Sequence, residues 1–161
     1  MKSFQIATIS LLIATAASAS ASAQTLDSQH GDWEVYKDGA TCYMASTPVK
    51  EDGNYTKRGQ PYALVNYKKG GTDEINISSG YPYKPNVNLD VKVNGKAFGL
   101  FVDGEHAWAK DPAADKAVVG ALKNGSEMVV KGVSAKGTYS TDTYSLKGTG
   151  AAYKRMTEIC N

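Results

Sequence analysis

The residues of this chain able to do chemistry are few: His30 and His106, Cys42 and Cys160, and 10 tyrosines interleaved with lysine and arginine. A catalytic histidine needs a nucleophile or substrate within hydrogen-bond reach. His106 has only Glu105 beside it in sequence, so we expect it to pack on Phe101. His30 precedes Gly31-Asp32-Trp33 and is expected to be solvated. No H-E-x-x-H, EF-hand spacing, phosphate-cradling G-x-x-x-x-G-K-[ST] loop or G-x-S-x-G elbow occurs. Ser134-Ala135-Lys136 and Ser145-Leu146-Lys147 lack the S-x-x-K spacing of acyl-transfer serines. Two histidines and two cysteines are too few for a multi-ligand metal site without carboxylates. The expectation is a non-enzymatic protein with no catalytic residue, no metal and no cofactor.

The tyrosines are the remaining lead. Tyr55, Tyr62, Tyr67, Tyr81 and Tyr83 alternate with Lys57, Arg58, Lys68, Lys69 and Lys84. Basic–aromatic mixtures can stack single-stranded nucleic acid. A formal net charge of only +2 lacks the basic footprint such binding needs. Tyrosine also suits strand faces and protein interfaces, so both core packing and a partner-binding surface remain open. The candidate surface is Tyr81, Tyr83 and Lys84, on a loop that Pro82 and Pro85 would pre-order.

The elements that must position these residues begin after an address. Lys2 and the apolar run Ile6–Ala16 lead to Ala21-Ser22-Ala23, the pattern of a secretory signal peptide cleaved before Gln24. The run is too short to span a bilayer, which takes about 20 residues. The expected organisation is a signal peptide over 1–23 and one domain over 24–161, with no transmembrane segment in the mature chain. In an oxidising compartment an even cysteine count favours a Cys42–Cys160 disulfide over two free thiols.

Within the domain, Val87, Leu89, Val91 and Val93 alternate with polar residues up to Asn94-Gly95, a strong two-residue hairpin signal. Counting outward pairs Val93 with Lys96, Val91 with Phe98, Leu89 with Leu100 and Val87 with Val102. A second turn at Asp103-Gly104 would pair Val102 with Glu105, Leu100 with Ala107 and Phe98 with Ala109, putting Phe101 beside His106 and Gly99 beside Trp108. Trp33–Lys37, Thr41–Ser46, Tyr62–Lys68, Glu74–Ser79, Glu127–Ser134 and Gly137–Tyr144 also read as strands, with 49–60 a loop. Asp111-Pro112 opens a helix that Gly125 closes. Ser145 opens a final one with Ala152, Tyr153, Met156 and Ile159 on one face. The fold class is all-β, a single sandwich- or barrel-like domain with a three-strand meander and two short helices.

Several local signatures now stand together: Gly31-Asp32-Trp33-Glu34-Val35, Cys42-Tyr43 leading to Ser46-Thr47-Pro48, Ala107-Trp108-Ala109, Met128-Val129-Val130-Lys131-Gly132, Ser134-Ala135-Lys136-Gly137-Thr138 and Thr141-Asp142-Thr143-Tyr144-Ser145-Leu146-Lys147-Gly148. Over roughly Gly31 to Cys160 the chain resembles the invasion-associated locus B family of Gram-negative envelope proteins. The resemblance implies a secreted β-sandwich-like domain in the periplasm or on the outer surface, linked in the family's founding example to invasion of host cells. Longer relatives can carry a further cysteine pair where this chain has Asp103–Ala109, so it resembles a shorter branch with one bridge. The expected function is binding of an unidentified protein or envelope or host-surface macromolecule, not nucleic acid, with a role in host-cell interaction. The alternative is a periplasmic housekeeping or small-ligand-binding module.

Overall fold

A computed structural model describes residues 24–161. Residues 1–23, expected to be a signal peptide, lie outside the described residues. Eleven strands form one antiparallel sheet: β1 Thr25–His30, β2 Trp33–Asp38, β3 Thr41–Ser46, β4 Lys50–Gly53, β5 Tyr62–Lys68, β6 Thr72–Ser78, β7 Leu89–Val93, β8 Lys96–Asp103, β9 His106–Trp108, β10 Glu127–Val133 and β11 Tyr139–Ser145. Two helices, α1 Pro112–Asn124 and α2 Thr149–Cys160, complete the domain. Neighbouring strands run in the order β1-β2-β3-β5-β6-β9-β8-β7-β10-β11-β4.

β8 is the corner of this sheet. Its residues 96–100 pair with β7, and Phe101, Val102 and Asp103 pair with β9. One strand thereby belongs to two sheet halves that fold around a common core, as at the corners of orthogonal packings. Period-two alternation sends Trp33, Val35, Met44, Val65, Ile75, Ile77, Leu89, Val91, Leu100, Met128, Val130 and Tyr144 into one continuous cluster. Val118, Val119 and Leu122 of α1 and Ala152 and Met156 of α2 enter the same cluster, so both helices lie on the core side.

The first hairpin has the expected register, Val93 opposite Lys96, Val91 opposite Phe98 and Leu89 opposite Leu100. Asn94 and Gly95 take φ of 46° and 84°, the positive values a type I′ turn requires. Val87 is not part of the pair: β7 starts at Leu89, and Val87 is exposed. The second hairpin departs from expectation by two residues. Asp103 pairs with His106, Val102 with Ala107 and Phe101 with Trp108, around a Gly104-Glu105 loop. Gly104, at φ 58°, occupies the first loop position, the place for glycine in a type II′ turn. Phe101 is therefore the cross-strand partner of Trp108, and Gly99 instead faces Asp90.

Two strands went unanticipated. β1 pairs with β2 through an irregularity between Leu26 and Ser28. β4 lies within the segment expected to be a loop and pairs with β11. The helices begin and end for identifiable reasons. Asp111 caps α1, its Oδ1 accepting the Ala114 N–H at 2.8 Å, with Pro112 following. At Gly125 an added Cβ would lie 2.7 Å from Leu146 and 2.8 Å from Val93, so the chain leaves the helix against a packed wall. α2 starts at Thr149, later than expected, because β11 runs through Ser145 and Gly148 turns the backbone at φ 90°.

The two ends of the domain meet at a seam. The Asp32 N–H donates to the Lys147 carbonyl at 3.0 Å, and the Trp33 indole Nε1–H to the Ser145 carbonyl at 3.1 Å. Beside them Gly31 and Gly148 bring backbone against backbone, with no room for a Cβ on either.

Candidate functional site

The structure places Tyr81 and Tyr83 in the core, at 8% and 4% exposure. Their rings meet edge-on, with centroids 5.6 Å apart. The Tyr81 hydroxyl pairs with Ser140 Oγ at 2.7 Å, and the Tyr83 hydroxyl donates to Ser79 Oγ at 2.9 Å. Gly132 on β10 makes space for them, since a Cβ there would lie 2.6 Å from the Tyr81 oxygen. The expected partner surface is corrected accordingly: these two rings face inward and only Lys84 is exposed. Pro82 and Pro85 have no N–H to give, yet the segment still bridges Tyr83 to Ser134, with the Lys84 N–H donating to the Val133 carbonyl at 2.9 Å and the Ala135 N–H to the Pro82 carbonyl at 2.8 Å. Burial pushes the Tyr83 phenol well above its ordinary value.

Next to this pair lies a buried charge centre that sequence reading missed. Arg58, in the connection between β4 and β5, donates from both terminal nitrogens to Asp142 at 2.8 and 2.6 Å. It also donates to Glu51 at 2.6 Å and to the Ser79 carbonyl at 3.1 Å, and the Tyr55 ring covers it at 4.4 Å. Burial opposes the arginine's charge, but the bonds to Asp142 and Glu51 outweigh it and hold its pKa above the ordinary value. Each oxygen of Asp142 has an ordered donor, so this centre is a lock on the 54–61 connection.

Cys42 and Cys160 are bridged, with Cα atoms 5.8 Å apart, tying β3 to the end of α2. His30 is within 3.1 Å of Ser28 Oγ. His106 does not rest on Phe101 as expected. It lies between Trp108, centroid distance 5.5 Å, and Tyr62, at 6.3 Å, with Nδ1 3.3 Å from both the Tyr62 hydroxyl and Asn76 Oδ1. Trp108 in turn meets Phe101 at 5.8 Å.

These rings belong to the outer face of the first sheet half, opposite the core on which both helices pack, and α1 meets the row only at its edge through Asp115. Register puts Glu34, Ala45, Leu64, Asn76, Trp108 and Phe101 in one row across six strands. Tyr62, His106 and Trp108 are partly exposed, and Phe101 is 46% exposed. Each end of the row opens into a cleft. At one end, Tyr36 and Tyr43 stack at 5.0 Å and, with Glu34 and Asp32, line a cleft of about 400 Å³. There the Tyr36 hydroxyl donates to Glu34 at 2.5 Å, and that bond together with burial pushes its pKa up to about 12. At the other end, Phe101 and Trp108 stand with Glu74, Asp103 and Asp115 around a cleft of about 380 Å³. Among the described residues, no group of three or more His, Cys, Asp or Glu is placed to hold a metal ion. Within the same residues, no helix is long and apolar enough to cross a membrane.

Together these features define a disulfide-bridged β domain with an open aromatic face. The chain matches the family model "Invasion associated locus B (IalB) protein" over residues 31–157 and belongs to that family. Its fold is similar to the crystal structure of invasion associated protein B from Bartonella henselae, at a TM-score of 0.63 and 18% identity, covering 84% of this chain and 98% of that one. No curated protein matches the chain. Family membership and the closed bridge are features of an extracytoplasmic protein.

Proposed function

We propose that this is an exported envelope protein whose role is to bind a macromolecular partner through the outer face of its first sheet half, and that this binding contributes to host-cell contact. The observation that carries the proposal is the ladder Tyr62–His106–Trp108–Phe101. It runs across β5, β9 and β8 on the side of the sheet that neither helix covers. Aromatic side chains supply large contact area at low entropic cost and are enriched at interface centres. The row is also mixed in character: Asn76 and Glu34 interrupt its apolar members, as at interfaces that form and separate. Likeness to a protein named for invasion supports the host-contact part of the proposal.

A photo-crosslinking amino acid at position 101, activated in intact cells, tests the surface. The proposal expects a discrete crosslinked species from position 101 and none from position 92, since Lys92 is exposed on β7, outside the ladder. Absence of any species at 101, or equal crosslinking from 92, would overturn it. Protease treatment of intact and outer-membrane-permeabilised cells tests the host-contact part. Digestion on intact cells supports surface display, and protection until permeabilisation would leave a periplasmic partner instead.

A further inference from the structure

From the cleft at the corner of the sheet we infer a recognition site for a cationic side chain, arginine or lysine, carried by an extended basic segment of the partner; this rests on the partner-binding role proposed above. Phe101 and Trp108 line the cleft with their rings 5.8 Å apart, and aromatic rings attract guanidinium and ammonium groups. Three carboxylates, of Glu74, Asp103 and Asp115, line the same space.

Little of the chain's own positive charge answers them. Lys68 approaches Glu74 only loosely, at 3.9 Å, on an exposed side chain. Among the described residues no ion pair engages Asp103 or Asp115. Asp115 is nine-tenths buried for a reason rooted in topology. β9 ends at Trp108, opposite Asn76, so the next amide on β6 has no strand to meet, and Asp115 Oδ1 accepts that Ile75 N–H at 2.8 Å. The carboxyl that finishes the ladder is thereby fixed beside the two rings. Burial, and then the neighbouring acids Glu74, Asp73 and Asp111, push its pKa up, against the pull of the Ile75 bond. A guest cation would relieve that crowding.

The row across the sheet favours a peptide over a small free cation. A second acid–aromatic cleft, with Tyr36, Tyr43 and Glu34, lies at the far end. From β2 to β8 there are five strand spacings, about 24 Å along the sheet at about 4.8 Å each. About seven extended residues cover that length at about 3.3 Å per residue. Ala45 and Leu64, both partly exposed, lie on the path between and give apolar contact.

The test uses an uncharged Gly-Ser octapeptide carrying an arginine at each end, its citrulline counterpart and a version with one arginine. Binding is read from the Trp108 indole N–H resonance. Trp33, fully buried and bonded to Ser145, serves as the internal standard. The two-arginine peptide should move Trp108 and leave Trp33 in place. The one-arginine peptide should bind about tenfold more weakly, since the second contact is then lost from an intramolecular pair. F101A should weaken binding about threefold to fivefold, the size of an exposed cation–π contact, and F101A combined with D103N should weaken it further. Both residues are exposed, and an unmoved Trp33 signal verifies the fold. An unmoved Trp108, an equal response to citrulline, or binding indifferent to F101A/D103N would each overturn the inference. If the peptides fail while position 101 still crosslinks in cells, the cation chemistry is wrong and the surface stands. If the peptides bind while position 101 yields no crosslink, the site is real and the assignment of this face to the cellular partner fails.

Discussion

Asp142 on β11 grips Arg58 with both carboxylate oxygens across 84 residues of chain, and neither side chain is more than 3% exposed. This bidentate pair, in the fork geometry that makes arginine–carboxylate contacts strong, fastens the crossing between β4 and β5 to the second half of the sheet. Removing the Asp142 charge leaves the buried Arg58 with only the half-exposed Glu51 as counter-charge. D142N is expected to cost about 3–5 kcal/mol in urea unfolding. R58M/D142L, which removes both charges, should recover most of that loss. A double variant as unstable as the single one would mean that the pair contributes attraction beyond its desolvation.

Tyr83 and Tyr144 separate two consequences of burying a phenol. Y83A should cost about 3–5 kcal/mol, the range for deleting a core aromatic. Among the described residues the buried Tyr144 hydroxyl has no hydrogen-bond partner. Y144F should therefore match the parent or exceed it by up to about 1 kcal/mol, because the desolvation of an unpaired hydroxyl is avoided. Chemical denaturation of the two variants checks both outcomes.

The bridge between Cys42 and Cys160 closes a loop of 118 residues. C42S/C160S is expected to lose about 2–5 kcal/mol relative to the oxidised protein. Mass spectrometry of the unreduced protein should recover the two cysteine peptides joined.

Asp27 provides a titration at the sheet edge. Arg155 of α2 donates to it at 2.8 and 2.7 Å and, with a smaller contribution from Ser28, lowers its pKa from 3.8 to about 2. A carboxyl depressed in the folded state stabilises fully above its unfolded value, near pH 4, and loses that contribution as pH falls through about 2. Carboxyl-carbon NMR should show the depressed midpoint, and R155Q should return it towards 3.8. Amide exchange in β1 should quicken below pH 3 in the parent protein.

What could be read from the residues was local. Asn94-Gly95 and the valine alternation set the first hairpin's register, since a slip of one residue would turn its apolar face outward. The second hairpin slipped by two, a shift that keeps every side chain on its own face and is invisible to alternation. That shift matters for the site, because it creates the Phe101–Trp108 pair. β4 carries Lys50, Glu51, Asp52 and Gly53, all exposed, and shows no periodicity. Pro82 and Pro85 mark Tyr81 and Tyr83 as loop residues, but a loop that bridges to Ser134 lies against the sheet and buries both rings. Arg58 and Asp142 meet only through the completed topology, and no spacing in the chain announces them.

The seam between Trp33 and Ser145 sets the order of events in time. Its indole hydrogen bond spans 112 residues, and the Asp32–Lys147 bond lies beside it. Closing so long a loop costs entropy before any contact repays it. The domain should fold on the slow, millisecond-to-second scale of non-local β topologies. Until that closure the sequence-local pairs β2–β3, β3–β5 and β5–β6 can form, but they have no fixed position against the far end of the sheet, so a chain synthesised only as far as Tyr144 lacks the clasp that joins its two ends.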